Sequence, residues 1–75
     1  MKRRPAREAI RQLRQERGLT VQQLAEKVEI SRRHLYNIEL GYNGARIEVL
    51  YRIANELGVP IEDVSVPADP AAAAS

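Results

Sequence analysis

The sequence predicts a small all-α domain of five short helices. Three observations carry this reading. Apolar residues recur at helical spacing through residues 6–57. Gly18, Gly41 and Gly58 stand where left-handed residues close helices. No stretch shows the strict alternation of a half-buried strand, so no β-structure is expected.

Residues 1–5 read as a flexible basic arm, and Pro5 suits the first position of a helix. Ala6, Ala9, Ile10 and Leu13 then make the apolar face of the first helix, with Arg7, Arg11 and Arg14 in a stripe beside it. Gly18 ends it. Thr20 begins the second helix, and Thr20 with Gln23 has the spacing of a capping box. Leu24, Ala25 and Val28 face inward. Two turns are too short to stand alone, so packing must hold this helix. Glu29 and Ile30 make the turn to a third helix over about residues 31–40, capped by Ser31, with Leu35 and Ile38 inward and Gly41 at its end. Residues 42–46 form a loop. The fourth helix places Ile47, Leu50, Ile53, Ala54 and Leu57 inward and stops at Gly58. Pro60 opens a last short helix with Glu62 and Asp63 in its first turn, as the helix dipole favours. The folded domain is therefore expected over residues 6–66. Residues 67–75 are Pro- and Ala-rich and are expected to be a disordered tail or the stub of a linker.

Seventy-five residues make one domain, which buries roughly 60% of its unfolded surface. With no cysteine and one histidine, neither a disulfide framework nor a metal site is expected. No glycine-rich phosphate loop or paired-carboxylate cleft is visible, so the chain does not read as an enzyme, and no cofactor or small-molecule ligand is expected. No apolar run approaches a membrane span, and no apolar segment follows the basic N-terminus as in a signal peptide. A cytoplasmic protein is the default.

Net charge is only +2, but it is unevenly spread. Residues 1–17 carry +5, residues 18–46 carry +1 and residues 47–75 carry −4. Such a chain suggests one face for a polyanion, although a solvated arginine-rich helix face gives the same count. The third helix sharpens the choice. Arg32, Arg33 and His34 fill its first turn, with no acid among them. Helix N-termini favour Asp or Glu there. An anion outside the protein resolves the conflict, and nucleic acid is the best candidate. A single-strand RNA binder is disfavoured, because the basic surface lacks an aromatic stacking platform.

Counted from Val21, Leu24, Ala25, Ile30, Leu35 and Ile38 fall at the fourth, fifth, tenth, fifteenth and eighteenth positions. Two helices that cross steeply need a small residue at the crossing, here Ala25, and apolar residues to close the wedge. In this the sequence resembles the Cro/cI class of helix-turn-helix domains, the lambda-repressor-like XRE family. The likeness spans roughly residues 7–66. It includes the Arg-Gly-Leu-Thr lead-in at residues 17–20, Ile38, Glu39 and Gly41, and the segment with Ile53, Ala54, Leu57, Gly58 and Val59.

The resemblance implies a sequence-specific regulator that binds double-stranded DNA, a repressor by family association. It implies a homodimer, joined through the C-terminal region around Ile61, Val64 and Val66, on a palindromic operator with half-sites roughly 34 Å apart. The third helix would then read the major groove. Arg32 and Arg33 are the foremost base-reading residues, since arginine pairs bidentately with guanine, although either can hold phosphate instead. Asn37 lies one turn further on and can pair with adenine, or be merely solvated. His34 is either another DNA contact or an exposed side chain. Phosphate contacts fall to Thr20, Gln22, Ser31, Tyr42, Asn43, Gly44 and Arg46. Lys2, Arg3 and Arg4 of the arm either reach along the backbone or a minor groove, or stay solvated. Arg14 and Glu39 match a family ion pair. Glu39 adjoins the inward Ile38 and would be costly to bury unpaired; the alternative is an exposed pair worth about 0–1 kcal/mol.

Three positions depart from the family pattern. Glu29 replaces a left-handed glycine, at roughly 1–2 kcal/mol if the backbone is kept, so the turn is expected to differ slightly. Ala45 replaces a loop proline. Val21 replaces a polar residue, which reduces one phosphate contact to a backbone N–H. The competing reading on the same fold is a protein-interaction module, an antitoxin or anti-repressor subunit, that binds its partner through Leu40 or the acidic C-terminal half.

Overall fold

The computed structural model describes residues 2–68. Four helices follow one another: α1 (Arg7–Glu16), α2 (Val21–Lys27), α3 (Arg32–Leu40) and α4 (Ile47–Leu57). A single 3-10 turn, Ile61–Asp63, comes next. Two short strands, β1 (Arg3–Pro5) and β2 (Ser65–Pro67), then pair antiparallel and bring the two ends of the domain together.

This pairing corrects two expectations. Arg3 and Arg4 do not form a free arm, and β-structure is present. Arg4 and Val66 each precede a proline, which drives a residue into extended conformation, and these two are cross-strand partners. The Ala6 N–H donates to the Val64 carbonyl (2.8 Å), which continues the ladder past Pro5. Pro5 thus closes a strand instead of opening a helix, and α1 begins at Arg7 with Ala6 as its N-cap.

The fifth helix is also corrected. After Pro60 the chain makes one 3-10 turn and then extends. The Ser65 hydroxyl donates to the Ile61 carbonyl (2.7 Å), the acceptor that a continuing α-helix would offer to the Ser65 N–H. Pro67 then disfavours helix at Val66. The tail expected over residues 67–75 lies outside the described residues from 69 onward, and Pro67 belongs to β2.

All four α-helices end in one backbone device. A residue at positive φ follows each helix, at Gly18, Glu29, Gly41 and Gly58. The next N–H bonds back across the last turn: Leu19 to Arg14, Ile30 to Ala25, Tyr42 to Asn37 and Val59 to Ala54, at 2.9–3.1 Å. Glu29 is the one non-glycine at positive φ among the described residues, at 63°. The turn between α2 and α3 therefore keeps the left-handed geometry with a glutamate in it. Ile30, directly after, tucks against the core and holds that geometry in place.

The core contains Ile10, Leu24, Ala25, Val28, Leu35, Ile38, Ile53, Leu57 and Val64, all essentially inaccessible. Leu50 is equally buried, whereas Ile47 remains half-exposed. Ala25 lies where α2 meets α3, and its small side chain lets the two backbones approach. Among the described residues no helix is long and apolar enough to cross a membrane.

Candidate nucleic-acid interface

Both helices of the turn-linked pair are capped by their own sequence. The Thr20 Oγ1 accepts from the Gln23 N–H (3.1 Å), and the Gln23 Oε1 accepts from the Thr20 N–H (2.9 Å). The Ser31 Oγ accepts from the His34 N–H (3.0 Å), which fixes the start of α3. Ser31, Arg32 and Arg33 are exposed at that start, and no acidic side chain occupies the first turn. Leu35 and Ile38 face the core. His34 and Asn37 lie at the boundary, half-buried, while Tyr36 is 53% exposed.

The far end of α3 is locked onto α1. The Arg14 Nε and Nη2 donate to the two carboxylate oxygens of Glu39 at 2.9 and 3.0 Å, and Nη1 donates to the Leu19 carbonyl at 2.8 Å. Both side chains are nearly sealed from water, at 10% and 5% exposure. This is a bidentate, charge-assisted pair in a site of low dielectric. Two turns earlier on the α1 stripe, the Arg7 Nη1 donates to the Leu40 carbonyl (2.9 Å), satisfying one of the open carbonyls at the C-terminus of α3. Arg7 was not singled out from the sequence. Its signal was the seven-residue spacing from Arg14, which sets both arginines on one helix face. With one end pinned and the other capped, α3 presents its first turn on a rigid mount.

The loop after α3 turns back on the helix. The Tyr42 and Asn43 N–H groups donate to the Asn37 carbonyl at 2.9 and 3.4 Å. Tyr42 is 75% exposed, and Asn43, Gly44 and Arg46 are exposed as well. Arg46 is the N-cap of α4, without a side-chain hydrogen bond of its own. At the start of α2, Thr20 is engaged in its capping box, and the Gln22 Nε2 donates to the Glu26 Oε1 (3.3 Å). Lys2 and Arg4 are exposed. Arg3 is tied down: its Nε donates to the Ser65 Oγ (2.6 Å) and its Nη2 to the Ser65 carbonyl (3.0 Å). Sequence reasoning missed this tie because Ser65 is remote in the chain. The available sign was the pair of X-Pro steps that extends both segments.

Two short helices joined by a tight turn and packed on each other, the second with its first turn exposed, define a helix-turn-helix domain of the XRE type. The helix-turn-helix family model matches residues 10–64, and the chain belongs to that family. It is 35% identical over 57 residues to the HTH-type transcriptional regulator DdrOP3 of Deinococcus deserti, a match covering 76% of this chain and 44% of that protein. The chain thus spans less than half the length of this curated relative. Among solved structures it resembles the clp gene regulator ClgR from Corynebacterium glutamicum, with a TM-score of 0.73 and 30% identity over 76% of this chain and 61% of that one. It also resembles SinR, the master regulator for biofilm formation, solved in complex with DNA, with a TM-score of 0.72 and 28% identity over 76% of this chain and 95% of that one.

Proposed function

We propose that this domain binds double-stranded DNA sequence-specifically as part of a transcriptional repressor, with α3 lying in the major groove. One observation carries the reading: a rigidly mounted helix whose exposed first turn holds Arg32 and Arg33 and no acid. DNA supplies the anion that this helix start lacks. Arg32 and Arg33 read base edges, with Asn37 and His34 behind them. Ser31, Thr20, Gln22, Tyr42, Asn43, Gly44 and Arg46 hold phosphates. The functional unit is a homodimer on a palindrome with half-sites roughly one helical turn apart. Val64 is fully buried in the monomer core, which leaves the half-buried Ile61 and Val66 for a C-terminal dimer contact.

Selection of binding sites from random duplex DNA with the purified chain tests this reading. A recovered palindrome supports it, and binding that never exceeds the non-specific level at physiological salt overturns it. Arg32→Ala and Arg33→Ala then assign the roles. A base reader loses about 1–3 kcal/mol of discrimination at one position. A phosphate contact weakens all sequences alike and lowers the slope of log K against log salt by about 0.9.

A further inference from the structure

A second basic feature lies beside the loop that follows α3. An open groove runs between β1, the start of α1 and that loop, lined among others by Arg4, Arg7, Glu8, Tyr42, Asn43 and Gly44. Two different constraints hold its arginines in place. Side chains alternate along a strand, so the tie of Arg3 to Ser65 leaves Arg4 exposed on the other side of β1. Arg7 is anchored through the Leu40 carbonyl and lies tight under Gly41, where an added Cβ would meet its Cδ and Nη1 at 3.0 Å. A guanidinium has five N–H donors, and the bond to Leu40 leaves others for a ligand.

We infer that this groove seats one backbone phosphate of the duplex, beyond the bases that α3 faces, with Arg4 and Arg7 as its cationic walls. The inference rests on the DNA-binding reading above. Charge matches this occupant. Arg4, Arg7 and Glu8 together carry one net positive charge, which suits a singly charged phosphodiester better than a doubly charged free phosphate. The Tyr42 hydroxyl and the Asn43 amide add neutral donors on the loop side. The β1 pairing also changes the cost of the contact. A free basic arm must be ordered on binding, whereas Arg4 sits on a strand that is already formed. The two arginines of β1 thus divide their work: Arg3 fastens the strand and Arg4 meets the phosphate.

The test is a salt series of anisotropy titrations, using the full chain and a mixed-sequence duplex of about three helical turns. Arg4→Gln is expected to weaken binding several-fold and lower the salt slope by about 0.9, with the unfolding midpoint unchanged. Glu8→Gln is expected to strengthen binding several-fold. Arg3→Gln is expected to lower the unfolding midpoint. A parental salt slope in Arg4→Gln, with duplex binding otherwise intact, overturns the groove and leaves the DNA-binding reading standing. Failure of the parent chain to bind duplex at all removes both. If inorganic phosphate raises the unfolding midpoint of the parent but not of Arg4→Gln, while the DNA salt slopes stay equal, the groove takes free phosphate and the assignment to DNA falls.

Discussion

Glu39→Gln removes the charge opposite Arg14 while preserving the shape of the side chain. Arg14 is 8% exposed and donates three hydrogen bonds, two of them to the Glu39 carboxylate. Breaking a buried pair by removing one partner costs about 3–5 kcal/mol, because the remaining charge stays buried. The glutamine oxygen still accepts one N–H, which returns about 1 kcal/mol. The expected loss is therefore about 2–4 kcal/mol. A chain of 75 residues has a total stability of about 4–11 kcal/mol, so this single oxygen-to-nitrogen change removes a large share of it. Urea unfolding followed by far-UV circular dichroism measures the loss, with an unchanged m-value confirming that the same transition is compared. A cycle with Arg14→Met then isolates the pair, and the double variant should cost less than the two single changes added together. A loss below about 1 kcal/mol for Glu39→Gln would refute the reasoning, since that is the range of an exposed ion pair.

Two further outcomes follow from the helix ends. Glu29→Gly should raise stability by about 0.5–1 kcal/mol: relief of the left-handed strain, about 1–2 kcal/mol, exceeds the entropy that glycine adds to the unfolded chain. The contact it sacrifices, with Arg52 at 3.9 Å, is exposed and contributes about 0–1 kcal/mol. An unchanged or lower urea midpoint would count against a strained turn. Gly41→Ala should cost more than Gly18→Ala, although both positions have positive φ. A Cβ at Gly41 meets the Arg7 side chain at 3.0 Å, whereas nothing lies within 4 Å of one at Gly18. Equal losses in thermal melts would show that Arg7 is not anchored there.

The sequence by itself determined the four α-helices, because their signals act within one turn. Caps at Thr20 and Ser31, left-handed glycines and apolar residues at three-and-four spacing need no distant partner. The same local logic exposed the unusual start of α3, since the charge conflict at Arg32 and Arg33 lies inside one helix turn. The pairing of Arg14 with Glu39 was implied by the family resemblance, and the placement of Glu39 beside a core residue agreed with it. Only the tertiary structure decided the rest. The register of β1 against β2 joins residues 60–64 apart in the chain, and strands of three residues are too short to announce themselves by alternation. That pairing turned the expected free arm into a fixed edge, cut the fifth helix to one turn and separated Arg3 from Arg4. Glu29 illustrates the same division. Its residue type argues against a left-handed backbone, yet the turn adopts one, with Ala25 buried before it and Ile30 packed against the core after it, and that burial offsets the local strain.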